Sequence, residues 1–342
     1  MHSPQHLKGL SLSAAGLLAL IIPLAAFQGS SREEVPDAPA SPILLDGWQD
    51  LRCAECHGEQ AEEWAGSAHA FAWESPSFQA ELPHLRRPAR CHSCHAPEPL
   101  HLAEIGAKPR VRSEYRHLGV DCLTCHLGPE DTMLGPHGRP SKAHATARGD
   151  SFKPGANDLC IVCHRVNVGP VIGLARDFDP TGPDGRPRSC VGCHMEFTER
   201  EPRPDENGQV DEDALPRPGR SHRLRGPGDP AFLASAFHIS LSDSGPDLSV
   251  KVTNRAGHRL PGLQQQSFAF HAVALDIDGK VLGEANLTVN AREYLPAAGF
   301  ETLDIPGAAA AESVHLTAAH HPHAGGPPVP FLDMKLENAS RD

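Results

Sequence analysis

The chain opens on a nearly uncharged apolar run, Gly9 to Phe27, with Lys8 before it and Leu17-Leu18-Ala19-Leu20-Ile21-Ile22 at its centre. Pro23-Leu24-Ala25-Ala26 then brings a helix break and small residues. That is the layout of an export signal, so residues 1–27 read as a signal peptide. A retained N-terminal anchor is the alternative, because the run approaches membrane-spanning length. No cysteine lies near it, which argues against a lipid anchor. Residues 28–46 are polar and rich in Pro, Ala and acids, and read as a tether without fixed structure. From 47 to 200 no period is sustained. Helical spacing shows at Glu59-Gln60-Ala61-Glu62-Glu63-Trp64, and the rest reads as loops and short helices.

Residues 201–230 form a charged, proline-rich linker. Within it Asp205 to Asp213 has part of a calcium-loop pattern, but without flanking helices it reads as a solvated acidic connection. From Ala231 the period becomes two. Phe237–Leu241, Leu248–Val252, Phe268–Leu275, Val314–Leu316 and Phe331–Leu336 are predicted strands, and Asp276-Ile277-Asp278-Gly279-Lys280 is a predicted hairpin turn. Residues 231–342 therefore read as a small antiparallel β-sandwich-like domain. The fold class is mixed: a loop-rich, mainly α region at 47–200, then the β-domain.

Length changes this picture little, since 342 residues suit about two domains. Charge excludes more. A formal net charge of -12 argues against a nucleic-acid partner, which needs a basic face. Aromatics are few, at 5%, while Pro (33) and Gly (31) are abundant. The outliers are 22 histidines and 10 cysteines.

All 10 cysteines fall in five copies of Cys-x-x-Cys-His. These are Cys53-Ala54-Glu55-Cys56-His57, Cys91-His92-Ser93-Cys94-His95, Cys122-Leu123-Thr124-Cys125-His126, Cys160-Ile161-Val162-Cys163-His164 and Cys190-Val191-Gly192-Cys193-His194, called motifs 1 to 5 below. The pattern is the attachment signature of haem c. Two thiols two residues apart reach one edge of a porphyrin, and the following His ligates the iron. Zinc or disulfides would explain the cysteine pairs but not a His after each one. The proximal ligands are then His57, His95, His126, His164 and His194, and the cofactor complement is five covalent haems c. Successive motifs start 38, 31, 38 and 30 residues apart. So little chain per motif cannot build its own core. The haems must be the core of residues 47–200.

Residues Cys53 to His164 resemble the multihaem cytochromes c that include cytochrome c-554. The resemblance rests on motif 1 followed by Trp64-Ala65-Gly66-Ser67-Ala68-His69, on motif 2 followed by Ala96-Pro97, and on Gly119-Val120-Asp121 leading into motif 3, with Gly135-Pro136-His137-Gly138 after it. It covers about a third of the chain. The turn Ala256-Gly257-His258-Arg259-Leu260-Pro261-Gly262 is more loosely similar to one in β-domains of exported multihaem cytochromes. The resemblance implies haem c, electron transfer and mostly bis-His ligation. The chain departs from four-haem members by its fifth motif and its β-domain.

Five of the 22 histidines lie at the ends of the motifs, leaving 17 for the second axial position. Methionine is scarce, which favours His/His ligation and low potentials. His69 is the first candidate, on the Trp-x-x-Ser-x-His pattern that the family uses. His137 sits in a Gly-Pro-His-Gly turn, and His144 lies ahead of motif 4. His222 ends the linker, and His258 sits in the β-domain turn, where ligation would bolt that domain to the haem array. For these four an ordinary turn or surface histidine is the competing reading. His92, His101 and His117 compete with them. His320, His321 and His323 read as a surface tail. Arg86, Arg87, Arg90, Arg110, Arg112 and Arg116 pair with haem propionates or form a solvated basic face.

The expected function is electron relay between redox partners, such as a membrane quinol-linked cytochrome or another multihaem cytochrome. The place is the periplasm or outer surface of a bacterium. A membrane is involved only if the N-terminal segment is retained. The spectra expected on this reading are low-spin for all five haems. The alternative is a nitrogen-oxide or hydroxylamine-type oxidoreductase with one open iron. Self-assembly into a haem filament is compatible with the relay.

Overall fold

The structure, a computed structural model, describes residues 53–182, 185–202, 215–323 and 325–338. The predicted signal, the tether and the acidic stretch around Asp205–Asp213 lie outside the described residues. Among the described residues no helix is long and apolar enough to cross a membrane.

The first part is built of short helices separated by loops and single turns of 3₁₀ helix. They are α1 (Cys53–Cys56), α2 (Gly58–Ala65), α3 (Pro76–Glu81), α4 (Ala89–His95), α5 (Cys122–His126), α6 (Asp158–His164) and α7 (Cys190–His194). The helical reading of Glu59–Trp64 corresponds to α2. Each Cys-x-x-Cys-His lies on or runs off one of these helices. Helical backbone puts both thiols and the His on one side of a single turn. Caps shape two of them. Asp121 caps α5 by accepting from the Thr124 N–H at 2.9 Å, and Ser189 caps α7 by accepting from the Gly192 N–H at 2.9 Å.

Two small strand pairs join this region. The strands β1 (Met133–Gly135) and β2 (Thr146–Arg148) are parallel, whereas β3 (Phe197–Arg200) and β4 (Arg217–Arg220) are antiparallel. No strand period announces either pair, because each is only three or four residues long. Buried apolar side chains here are scattered: Ala61, Ala96, Leu100, Leu118, Leu123, Leu127 and Val162. None belongs to the main hydrophobic cluster.

That cluster lies in the second part. After α8 (Pro230–Ser235) come β5 (Phe237–Ser244), β6 (Asp247–Asn254), β7 (Ser267–Leu275), β8 (Val281–Asn290), β9 (Phe300–Ile305), β10 (Ser313–His321) and β11 (Val329–Glu337). They form two antiparallel sheets, ordered β11-β10-β7-β8 and β5-β6-β9. Leu248, Val250, Val252, Leu303 and Ile305 from one sheet meet Phe268, Phe270, Val314, Leu316 and Phe331 from the other in one cluster. This is the predicted sandwich. The turn Asp276–Lys280 is the β7–β8 hairpin, with the Gly279 N–H donating to Asp276 O at 3.0 Å. Strands β8 and β9 went unread. Their inward positions include Ala285 and Gly283, and β9 exposes Phe300, so alternation is blurred.

Candidate functional site

Trp64 on α2 donates its indole N–H to Val120 O at 2.8 Å, and the Val120 N–H donates to His69 O at 2.9 Å. Gly119 makes this contact possible: a Cβ there would stand 2.3 Å from His69 O, and its φ is +59°. The segment entering motif 3 thus holds the turn that carries His69. The buried ion pair from Arg112 to Asp121, at 2.5 Å, and the Arg112 bond to Gly119 O, at 2.8 Å, brace the same segment.

Four motif histidines face a second histidine. Ring centres are 6.5 Å apart for His57 and His144, 6.1 Å for His164 and His69, 6.3 Å for His126 and His222, and 6.3 Å for His194 and His258. Two imidazoles on opposite faces of one metal, each with a metal–N bond of about 2 Å, put their ring centres about 6.3 Å apart. The spacing therefore fits an iron between each pair. The Nδ1 atoms of six of the motif and facing histidines are already committed. Nδ1–H of His126 donates to Leu134 O at 2.7 Å, of His194 to Arg225 O at 2.5 Å, and of His95 to Ala72 O. On the distal side His222 donates to Arg220 O at 3.0 Å, His258 to Arg259 O at 2.9 Å and His144 to Ala145 O at 3.2 Å. A proton on Nδ1 leaves the Nε2 lone pair for a metal. Burial holds His69 and His222 down to about 4, with neighbouring imidazoles adding to it, so both are neutral donors.

Of the candidate distal ligands, the structure brings His69, His144, His222 and His258 opposite a motif histidine. It does not bring His137, which is exposed and makes no ring contact with a motif histidine among the described residues. The competitors stand elsewhere. His101 spends its Nε2–H on Cys125 O at 3.1 Å, His92 packs on Trp73 at 5.1 Å, and His117 is exposed. His320 is buried against Phe268 and is no surface residue. His95 is the exception among the motifs. No histidine ring of the described residues faces it; Phe78 of α3 stacks on it at 3.6 Å and 8°.

Several residues that hold this arrangement carry no sequence signal. Glu63 accepts from the His222 N–H at 2.9 Å and from Arg200 at 2.6 Å, so the helix after motif 1 positions the ligand opposite motif 3. Its carboxyl is held below the usual range because hydrogen bonds from Arg200 and the His222 N–H outweigh burial. Only its place in a helical stretch could have pointed to it. Asn254, 1% exposed, donates to His258 O, Leu295 O and Pro296 O at 2.9–3.1 Å and so fixes the His258 turn. Arg225, whose carbonyl orients His194, is tied to Asp229 and Glu196. Phe232 of α8 packs edge-on against His194 at 5.2 Å.

The Glu63→Ala variant should unfold at lower urea concentration. Breaking a buried ion pair costs about 3 kcal/mol at the low end, and Glu59 still faces Arg200, so the expected loss is at or below that figure. Equilibrium unfolding against the parent checks it.

The attachment thiols also meet between motifs. Cys53 and Cys122 lie within hydrogen-bonding reach, as do Cys94 and Cys163, and Cys160 and Cys190. Cys125 is near enough to act electrostatically on both Cys160 and Cys163. Burial pushes the Cys125 thiol up to about 12. A zinc site needs several Cys and His converging on one point. Among the described residues no group of three or more metal-binding side chains does so.

Paired imidazoles with metal spacing, each aligned with a Cys-x-x-Cys pair, define a multihaem c-type cytochrome, and the chain is one. The comparisons place it more closely. Residues 52–127 match the family described as "Cytochrome c554 and c-prime". The chain is 28% identical over 154 residues to cytochrome c-554 of Nitrosomonas europaea, covering 39% of this chain and 64% of that one. It thus spans somewhat less than two thirds of that relative. The fold is similar to the crystal structure of a penta-heme cytochrome c552 from Thermochromatium tepidum, with a TM-score of 0.52 and 15% identity over 84% of this chain and 97% of that one. Both are cytochromes c by name, which supports haem c as the group these motifs hold.

Proposed function

We infer that the protein is an exported pentahaem relay, passing electrons between redox partners at the periplasm or outer surface of a bacterium. The observation that carries this is the contact network of the thiols. Thiols of motifs 1 and 3, of motifs 4 and 2 and of motifs 4 and 5 lie within hydrogen-bonding reach, and Cys125 of motif 3 is near enough to act electrostatically on motif 4. Every haem position is therefore next to another, and none is isolated. Haem c supplies, when bound, an iron that cycles between two oxidation states. The chain does the rest. The cysteines would fix each ring edge, backbone carbonyls orient the imidazoles, and the paired histidines would hold four of the haems from both sides, which would exclude substrate there.

A second reading has its own observation. Among the described residues no histidine ring faces His95, so a haem held at motif 2 would lack a second histidine and could take an exogenous ligand. That favours an oxidoreductase site of the nitrogen-oxide or hydroxylamine type at one haem, fed by the other four. Intact mass and electron paramagnetic resonance of the oxidised holoprotein test both readings. The expected result is five covalent haems, four of them low-spin and one high-spin. A high-spin signal that shifts on adding nitrite or hydroxylamine supports the catalytic reading. Five low-spin signals, unmoved by either, leave the relay alone. Fewer than five haems would overturn the connected array.

A further inference from the structure

The chain as a whole is acidic, with 43 Asp and Glu against 31 Lys and Arg. Residues 84–116 reverse the balance, with seven basic side chains and three acidic ones. These residues surround motif 2. Arg90 precedes Cys91 on α4. Arg116 lies over the Trp73 ring at 5.2 Å, and Trp73 in turn packs on His92. Lys108 is near enough to act on Cys94. Arg165, just after motif 4, donates to Gly106 O at 2.5 Å and so adds its charge to the same loop. Arg86, Arg87, Arg90, Lys108 and Arg110 are all exposed.

Two of the seven are spent inside the protein: Arg112 on Asp121, and Arg110 on Glu98 at 2.8 Å. For Arg86, Arg87, Arg90 and Lys108 no ion pair occurs among the described residues. Arg86, Arg87 and Arg90 come from one segment and Lys108 from another, and all four are exposed. Beneath them, the cavity lined by Glu98 to Arg110 holds about 10 Å³, room for one water. This is a surface for something broad and flat, not a pocket for a small anion.

We propose that this basic collar around motif 2 is the docking surface for an acidic electron-transfer protein, which exchanges one electron with the haem array there. The proposal rests on the relay reading. Its physical content is steering. The net charge repels an acidic partner while this face attracts it, so encounters are biased toward the motif 2 end. The step is a single-electron transfer: the reduced partner is oxidised, one haem iron is reduced, and no bond changes.

The test uses the full holoprotein and reduced flavodoxin as an acidic one-electron donor, mixed by stopped flow. Ionic strength is varied from about 0.01 to 0.5 M, which shortens the Debye length from about 30 Å to a few ångströms. The bimolecular rate constant is expected to fall about tenfold or more across that range. In the Arg86→Glu/Arg87→Glu/Lys108→Glu variant the dependence should flatten or invert. A neutral reduced flavin should reduce the variant and the parent at the same rate and to the same extent. Reduction by flavodoxin that speeds up with salt, as the net charge alone requires, overturns the proposal. So does a variant that keeps the parent's salt dependence while one haem potential shifts, because the collar would then be serving haem propionates. If neutral flavin reduces only part of the haem in the parent, it is the relay reading that fails.

Discussion

Replacing Cys160 and Cys163 by serine is expected to remove one haem and divide the array. Motif 4 is its junction. Cys160 lies within hydrogen-bonding reach of Cys190 of motif 5, Cys163 of Cys94 of motif 2, and Cys125 of motif 3 is near enough to act electrostatically on both. Without the two thiols nothing would hold the ring edge at α6, and His164 and His69 would lose the metal that their spacing fits. The loss is also structural, because Val162 is the only strongly buried apolar residue of that helix. The variant should show one haem fewer by intact mass. After a pulse of reductant at the motif 2 end, the motif 5 haem should stay oxidised long after the parent has equilibrated. Fast equilibration in a protein shown to lack that haem would mean that electrons travel another way, and motif 4 would not be the junction.

The second large effect is expected from His258→Ala. His258 comes from the sandwich, yet its ring is nearly parallel to His194 of motif 5, at 6.3 Å and 11°. Its turn is held independently by Asn254 and by the Asp179 N–H, which donates to Gly257 O at 2.7 Å. The side chain is outside the hydrophobic cluster, so the sandwich should fold without it. What disappears is the second ligand of one iron. The oxidised variant should gain one high-spin haem over the parent, and added imidazole should return it to low spin by filling the space left behind. An unchanged spin distribution would remove His258 from the ligand set. Loss of signal that imidazole does not restore would point to collapse of the turn instead.

These expectations draw on different kinds of information. The attachment sites are written locally. Two thiols and a histidine within five residues can share one haem wherever the segment sits, so five motifs could be read off directly. The sandwich was legible for the same reason: alternation over Phe268–Leu275 or Leu248–Val252 is a short-range consequence of one buried face. Strands β8 and β9 escaped because Gly283, Ala285 and the exposed Phe300 break that alternation.

The second ligands are another matter. His69, His144, His222 and His258 were among many histidines in turns, and His137 sat in an equally permissive Gly-Pro-His-Gly turn. Only His69 carries a local signal, the Trp-x-x-Ser-x-His pattern before it; nothing local separates the other four. The choice depends on distant contacts: Val120 holding the His69 carbonyl, Glu63 holding the His222 N–H, Asn254 holding the His258 carbonyl. The same holds for the unmatched His95, whose neighbour Phe78 carries no haem-related signal.

What the sequence by itself determined is how many haems the chain can attach and where, because covalent attachment needs only neighbouring residues. Which histidine faces which motif histidine, and that among the described residues none faces His95, only the tertiary structure decided. A second axial ligand must arrive from the far side of the ring, and only the folded path of the chain brings it there.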